Sequence, residues 1–268
     1  MIKVIASDMD GTFLNDDGAF DSKAFQRQLK QMKAKDMRFI CATSNTYAHS
    51  LRQFKEVTGP ISYVCDNGAH VIDERGVAIF ESSMEPVLVQ KIVNFLQTDA
   101  EFVGAEIILA GRNGTYCNLS ADSEQFKASQ RFYENLQAVS DLSLIFDSVY
   151  KIDVMVDGAN ALRMAHDINT KFVNRVSAVS SGMNGVDIMN ADISKASGIK
   201  VLLQEWNLSF ADVAAFGDNG NDYEMLRQAA EGFAMKNAAD DLLAVIPQTT
   251  ELTNNESGVQ RKITSYLD

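Results

Sequence analysis

The sequence predicts an α/β protein in which a doubly wound, Rossmann-like parallel sheet is interrupted by an inserted α+β domain. The chain has 268 residues, more than one compact core usually absorbs. Strand and helix patterns alternate at both ends of the chain, which is typical of a parallel sheet covered by helices. The middle of the chain has a different pattern. We therefore assign residues 1–83 and 191–268 to the core and residues 84–190 to the insertion.

The N-terminal segment is predicted to form a βαβ unit. Val4-Ile5-Ala6 and Phe39-Ile40-Cys41-Ala42 are short apolar runs that end in polar residues, as buried strands do. Between them, Phe25, Leu29 and Met32 recur at spacings of four and three residues, which predicts an amphipathic helix. The elements predicted next are a helix carrying Tyr47, Leu51 and Phe54, a strand from Ile61 to Val64, and a turn at Asn67-Gly68.

The C-terminal segment repeats this alternation. The predicted elements are a helix with Ile199, Leu202, Leu203 and Trp206, a strand from Val213 to Phe216, and a helix with Met225, Leu226 and Ala229. Because both ends share one pattern, we expect them to contribute strands to one parallel sheet.

The insertion is predicted to combine longer helices with an antiparallel sheet. Its helices carry Leu88, Ile92 and Phe95, and then Leu162, Ala165, Ile168 and Phe172. Tyr150, Ile152 and Val154 alternate with Lys151 and Asp153. Alternation of this kind is typical of a sheet with one solvated face, so we expect both charged residues to face water.

The amino-acid composition and the net charge limit the classes of partner that this protein is expected to bind. Apolar residues make up 46% of the chain and charged residues 22%, so a folded globular protein is expected. The 24 Lys and Arg against 36 Asp and Glu give a charge of −12, which argues against a nucleic-acid or membrane partner. The three cysteines include no C-x-x-C pair, and Asp8 and Asp10 interrupt the first apolar run. A cytoplasmic protein is expected, with its oligomeric state left open.

Polar residues follow three of the predicted strands. Asp8 and Asp10 come after the first strand, Thr43 after the second, and Asp218 and Asp222 after the strand that ends at Phe216. Ligands of open α/β sheets bind beyond the carboxyl ends of the strands. Carboxylates gathered there repel one another and need a cation. Mg²⁺, which prefers oxygen ligands and a substrate phosphate, is the predicted cofactor.

Other interpretations of these acidic segments differ in strength. Asp8 to Gly11 and Asn219-Gly220 are each compatible with plain turn chemistry, and this alternative stays open for either segment alone. A calcium loop is excluded, because counting from Asp8 puts Phe13 and Ala19 where Gly and Glu belong. The sequence also lacks the phosphate-binding G-x-x-x-x-G-K-[ST] loop, the G-x-G-x-x-G fingerprint and the G-x-S-x-G elbow.

Four segments, in order, resemble the motifs of haloacid-dehalogenase-superfamily phosphatases. They are Asp8 to Thr12, Thr43, Lys195, and Gly217 to Asp222. Within the superfamily, the closest resemblance is to the Cof-type sugar-phosphate phosphatases, which carry a class IIB cap. The segments that carry it are Asp8 to Asp16, Asp218 to Leu226, and Phe233 to Ala239.

The resemblance implies a role for each matched residue. Asp8 would be the nucleophile and a metal ligand, and Asp10 would be the general acid and base, with its backbone carbonyl on the metal. Asp218 would be the remaining metal ligand, and Asp222 would orient metal-bound water or Lys195. The implied phosphate-binding residues are Met9 through its backbone, Thr43, Ser44, Lys195 and Asn221.

The implied activity is that of a Mg²⁺-dependent phosphatase acting on small phosphorylated metabolites, with sugar phosphates as the expected class. The insertion would be a cap that closes over the site. Ser44 and Asn45 stand where the family usually has Gly and Arg, which puts the substrate in question but not the reaction. Two alternatives remain: a phosphotransferase or mutase with the same aspartyl-phosphate, and a non-catalytic phosphate-binding regulatory protein.

Overall fold

The computed structural model describes residues 2–156, 160–182 and 185–268. The chain divides into two compact units: unit 1 is Met1–Phe80 with Ser194–Asp268, and unit 2 is Glu81–Ile193. The junctions predicted from the sequence, after residue 83 and before residue 191, lie three residues further inside the insertion.

Strands and helices alternate at both ends of the chain, and the insertion between them adds further strands and helices. In chain order they are β1 (Val4–Ser7), α1 (Ser22–Ala34), β2 (Arg38–Ala42), α2 (Tyr47–Gln53), β3 (Ile61–Cys65), β4 (His70–Ile72), β5 (Ala78–Glu81), α3 (Pro86–Thr98), β6 (Glu106–Gly111), β7 (Thr115–Cys117), α4 (Glu124–Ser129), β8 (Leu136–Ala138), β9 (Val149–Met155), α5 (Ala161–Lys171), β10 (Val176–Gly182), β11 (Gly185–Asn190), α6 (Lys195–Glu205), β12 (Val213–Gly217), α7 (Tyr223–Gln228), β13 (Glu231–Ala234), α8 (Asp240–Val245), β14 (Gln248–Thr249) and α9 (Gly258–Leu267).

Unit 1 is built on an eight-stranded sheet in the order β14-β13-β12-β1-β2-β3-β4-β5. The strands from β14 to β3 run parallel, and β4 is antiparallel to β3. The chain leaves β1 toward β2 on one side and later returns to β12 on the other, which confirms the predicted doubly wound sheet. In the register, Ser7 lies between Cys41 and Phe216, so these three strands end at the same level.

The core of unit 1 forms where the apolar faces of helices meet the sheet. Asp21 caps α1, because its carboxylate accepts a 2.8 Å hydrogen bond from the Ala24 backbone N–H. Phe25 on this helix packs edge-on against Phe13 and Phe39, with ring centroids 4.8 Å apart in both pairs. Leu51 was predicted on the inward face of α2 but is exposed.

Unit 2 contains a six-stranded sheet in the order β10-β11-β9-β6-β7-β8. Its neighbouring strands are antiparallel except for β7 and β8. Helices α3 and α5 cover one face, where Ile92 and Ile168 pack with Ile152 and Val154. Leu162, predicted on the buried face of α5, is exposed. Among the residues described, no helix has both the length and the apolar composition needed to cross a membrane.

The prediction that Lys151 and Asp153 lie on a solvated face of the sheet is wrong. The Lys151 side chain is only 2% exposed, and its ammonium lies 3.1 Å from Asp153 and 3.4 Å from Asp187. Asp153 pairs across the sheet with Ile108, which belongs to a second buried cluster formed with Phe126 of α4 and other residues. Alternation shows which residues share a face, but it does not reveal that a second layer covers this face.

Candidate active site

The candidate active site lies in unit 1, beyond the carboxyl ends of β1, β2 and β12. Asp8 follows β1, and its backbone N–H donates a 3.0 Å hydrogen bond to the Phe216 carbonyl of β12. Thr43 follows β2, and Asp218 follows the last residue of β12. Because these parallel strands end level with one another, three segments that are remote in sequence reach the same edge of the sheet.

The turn after β1 requires a glycine. Gly11 has a φ of +75°, and a Cβ atom there would lie 2.5 Å from an Asp218 carboxylate oxygen. Thr12 donates its hydroxyl to the other Asp218 oxygen at 2.7 Å. Gly11 therefore allows both the left-handed backbone and the close approach that brings the turn against Asp218.

Lys195 joins two of the aspartates. It is the first residue of α6, whose N-cap Ser194 accepts a hydrogen bond from the Ser197 N–H. Lys195 Nζ donates to Asp8 Oδ1 at 2.5 Å and to Asp222 Oδ1 at 2.7 Å. Burial disfavours a charged lysine, but the carboxylates of Asp222 and Asp8 raise the pKa of Lys195 above its ordinary value. The lysine is therefore a fixed cation within the site.

Asp222 also organises the loop after β12. Its Oδ2 atom accepts hydrogen bonds from the backbone N–H groups of Asp218 at 2.9 Å and Asn219 at 3.0 Å. Asp222 is fully buried, and a Cβ at Gly217 would lie 2.4 Å from it. One carboxylate thus positions both the backbone at Asp218 and the ammonium of Lys195.

Asp8, Asp218 and Asp222 form a cluster that could hold a metal ion. One carboxylate oxygen from each lies within 4.8 Å of the others. Burial raises the pKa of Asp8, against the opposing effect of Lys195. Burial and the charges of Asp8 and Asp222 raise the pKa of Asp218 to about 8. Burial also raises the pKa of Asp222 to about 6, although Lys195 opposes it.

These pKa shifts arise because the carboxyl groups are buried away from water and lie close to one another. A bound cation would lower the pKa values again. An all-carboxylate donor set suits a hard divalent ion. The predicted metal ligands were Asp8, Asp10 and Asp218. Of these, Asp8 and Asp218 are in the cluster, which Asp222 completes. The predicted contribution of Asp10 is its backbone carbonyl, and that part stays a prediction.

The Asp10 side chain contacts Asn45, which in the sequence is only a departure from the usual family pattern. Asp10 is exposed, and its Oδ2 accepts a 2.7 Å hydrogen bond from the side-chain amide of Asn45. Asn45 itself is 9% exposed. The one sequence signal for this contact was its position, two residues after Thr43 in the second motif.

The predicted phosphate-binding residues surround the end of β2 and the loop after β12. Thr43 is buried, and its hydroxyl accepts the Asn45 backbone N–H at 3.1 Å. The Met9 side chain is buried in the core. Asn221 donates its side-chain amide to Asn67 Oδ1 at 3.1 Å. Asn67 was predicted only as a turn residue. It is therefore a second residue of the candidate site that the sequence did not indicate.

A doubly wound sheet with an aspartate cluster and a buried lysine at the carboxyl ends of its strands is the arrangement of an α/β enzyme that acts on phosphoryl groups. Comparison with known proteins agrees with this class. Residues 5–263 match the family described as haloacid dehalogenase-like hydrolase. The chain belongs to this family, which confirms the resemblance seen in its motifs, and it is a phosphatase of the family.

Individual relatives match over nearly their full lengths. The 5-amino-6-(5-phospho-D-ribitylamino)uracil phosphatase YbjI of Escherichia coli K12 is 31% identical over 266 residues, which cover 99% of this chain and 96% of that protein. The HMP-PP phosphatase of Escherichia coli O157:H7 is 26% identical, covering 100% and 97%. The crystal structure of SMU.1108c from Streptococcus mutans UA159 aligns with a TM-score of 0.91 at 32% identity, covering 100% and 99%.

Proposed function

We propose that this protein is a Mg²⁺-dependent phosphatase that hydrolyses small phosphorylated metabolites, sugar phosphates above all, through an aspartyl-phosphate on Asp8. The observation that carries the proposal is the buried Lys195 ammonium, which bridges Asp8 at 2.5 Å and Asp222 at 2.7 Å beside Asp218. A carboxylate nucleophile has to be ionised and oriented. A buried ammonium held against one of its oxygens orients the carboxylate and favours its ionised form, in opposition to the burial that raises its pKa.

The first step transfers the phosphoryl group to Asp8. A carboxylate oxygen of Asp8 attacks phosphorus, and the bond from phosphorus to the leaving alcohol's oxygen breaks. Asp10 donates a proton to that oxygen, so the alcohol leaves neutral. In the second step water attacks phosphorus, Asp10 accepts a proton from the water, and the bond between phosphorus and Asp8 breaks. Inorganic phosphate and the original carboxylate of Asp8 are the products.

The remaining residues would bind the metal and the phosphoryl oxygens. Asp8, Asp218 and the backbone carbonyl of Asp10 would hold Mg²⁺, with Asp222 beside them. The ion would neutralise charge on the phosphoryl oxygens. Thr43, Ser44, Asn221 and the Met9 backbone N–H would donate hydrogen bonds to those oxygens.

The names of two relatives support the class of substrate. One is named for a uracil that carries a phosphorylated ribityl chain, which is a sugar alcohol phosphate. Another is named for HMP-PP. We infer that unit 2 is the cap domain that the family resemblance implies. The cytoplasmic location expected from the sequence stays a prediction.

The test is a screen of purified protein with Mg²⁺ against sugar phosphates, sugar alcohol phosphates, nucleotides and phosphorylated cofactors, with Asp8→Asn as the blank. Release of inorganic phosphate that depends on Asp8 is the expected result. Phosphate release only in the presence of an acceptor would instead indicate a phosphotransferase. Binding of sugar phosphates without hydrolysis of any compound would indicate a regulatory protein.

A further inference from the structure

Three hydrogen bonds hold Asn45 at the edge of the candidate site. Its backbone N–H donates to Thr43 Oγ1 at 3.1 Å, and its carbonyl accepts the Asp66 N–H at 3.0 Å. Its side-chain amide donates to Asp10 Oδ2 at 2.7 Å. Because the backbone of Asn45 is tied to the residues after β2 and β3, the amide is a fixed donor.

Asp10 needs such a restraint. It lies in the turn after β1 with φ −73° and ψ 124°, immediately before the left-handed Gly11. Its side chain is exposed, unlike that of Asp8. An exposed aspartate ordinarily samples several rotamers, yet a general acid must keep its proton within hydrogen-bond reach of the leaving oxygen. The hydrogen bond from Asn45 selects one orientation.

The chemistry of the amide also distinguishes the two carboxyl oxygens. An amide nitrogen can only donate, so Asp10 Oδ2 acts as an acceptor in this contact. The hydrogen bond therefore leaves Oδ1 as the oxygen that can face the leaving group. The family usually has a guanidinium at this position of the motif, whereas Asn45 provides a neutral donor.

We propose that Asn45 is a positioning residue for Asp10: its side-chain amide holds Oδ2, so that Oδ1 faces the leaving oxygen and delivers the proton. This inference rests on the proposed function, in which Asp10 is the general acid. It goes beyond that function because it assigns a task to the residue that replaces the family's arginine.

The test uses the dependence on the leaving group. The p-nitrophenolate anion leaves readily without a proton, whereas an alkoxide does not. The quantity to compare is kcat/KM, which covers the steps up to departure of the alcohol, for p-nitrophenyl phosphate and for the primary alkyl phosphate that the wild-type protein hydrolyses fastest. Asn45→Ala is expected to lower kcat/KM about 30-fold for the alkyl phosphate and only about 3-fold for the aryl phosphate. Asn45→Leu, which is similar in size but lacks the amide donor, should behave alike.

Two further variants sharpen the test. Asn254 is a buried asparagine whose side-chain amide donates to the Leu14 carbonyl at 3.1 Å and to Asp16 Oδ1 at 3.0 Å, in the segment that follows the same turn. Asn254→Ala should lower thermal stability and reduce kcat/KM for both substrates by one common factor, as a structural defect does. In an Asp10→Asn background, Asn45→Ala should have no further effect on the alkyl phosphate, because the group that it positions is already lost.

The outcomes separate the two proposals. Equal losses on both substrates, no loss on either, or full additivity with Asp10→Asn would overturn the role of Asn45 while leaving the phosphatase activity established. A wild-type protein that hydrolyses neither substrate would overturn the proposed function itself.

Discussion

Lys195 in unit 1 and Lys151 in unit 2 occupy similar surroundings but belong to different kinds of site. Each ammonium is almost completely buried and contacts two aspartates. The contacts of Lys195 are 2.5 and 2.7 Å, and those of Lys151 are 3.1 and 3.4 Å. Lys195 starts a helix at the carboxyl ends of parallel strands, whereas Lys151 lies within an antiparallel strand.

The Lys195 cluster carries a surplus of negative charge. A third carboxylate, that of Asp218, joins the Lys195 cluster, and the pKa of Asp218 is raised to about 8 by burial and by its charged neighbours. That cluster therefore favours a further cation. The Lys151 group belongs to two neighbouring strands of one sheet, and the ion pair between Lys151 and Asp187 links β9 to β11. We infer that a buried lysine with aspartates is functional where strand ends gather extra charge, and structural where it links neighbouring strands.

The largest expected effect separates the aspartates of the two clusters. Asp8→Asn should lower kcat by about 10³-fold or more, because it removes the nucleophile while keeping the shape of the side chain. Asp187→Asn should leave the kcat for p-nitrophenyl phosphate within about threefold and should lower thermal stability instead. Steady-state kinetics and thermal unfolding of both variants measure this contrast. An active Asp8→Asn protein would refute the covalent route.

The second prediction compares the lysines directly. Lys151→Met and Lys195→Met should each destabilise the protein by about 3 kcal/mol, since each removes a buried cation from the carboxylates that it contacts. Mg²⁺ should restore much of the stability of Lys195→Met, because it can replace the lost charge, but none of that of Lys151→Met. Denaturant unfolding with and without Mg²⁺ provides the measurement. Equal rescue of both variants would remove the distinction between the clusters.

The third prediction concerns the metal in the wild-type protein. Chelation should abolish phosphate release, and Mg²⁺ at 100 times its dissociation constant should stabilise the fold by about 2.7 kcal/mol. The thermal shift reports binding without relying on turnover. Asp218→Asn is the matched control and should lose most of the shift. An unchanged melting temperature in Mg²⁺ would contradict a metal site at the cluster.

The smallest effect, counted per pH unit, is the dependence of metal-free stability on pH. The pKa of Asp218 is raised from its ordinary 3.8 to about 8, so the folded state binds this proton more tightly than the unfolded state does. The stabilisation is complete below about pH 4 and is lost as the pH rises through about 8. Stability should fall by on the order of 1 kcal/mol per pH unit in this window.

Asp222, whose pKa is raised to about 6, adds to the slope in the lower part of that window. Chemical denaturation in chelator at several pH values measures the slope. Asp218→Asn should flatten it, and saturating Mg²⁺ should do the same, because a bound cation keeps the carboxylates ionised. A slope that survives in Asp218→Asn would assign the titration to other groups.

Much of the fold could be predicted from the sequence because the spacing of apolar residues within a segment shows which side of that helix or strand is buried. The spacing of Phe25, Leu29 and Met32 marks the buried side of α1, and the apolar run before Asp8 marks β1. Lys151 shows where this reasoning stops. Its alternation with Ile152 identified the opposite face correctly, but the cluster of Ile108 and Phe126 that covers this face comes from other parts of unit 2.

The candidate site divides in the same way. Motif order singled out Asp8, Lys195 and Asp218, which the fold brings together. The contact between Asn45 and Asp10 could not be read from the motifs, since the sequence presented Asn45 only as the loss of an arginine.

The amino-acid sequence by itself determined which segments become strands and helices, and which polar residues follow the strands, because those properties depend on neighbours a few positions away. The tertiary structure alone decided that Lys195 meets Asp8 across 187 positions and that Asn45 reaches Asp10. Such contacts depend on the order of strands in the sheet and on how the layers pack, and no local spacing encodes either.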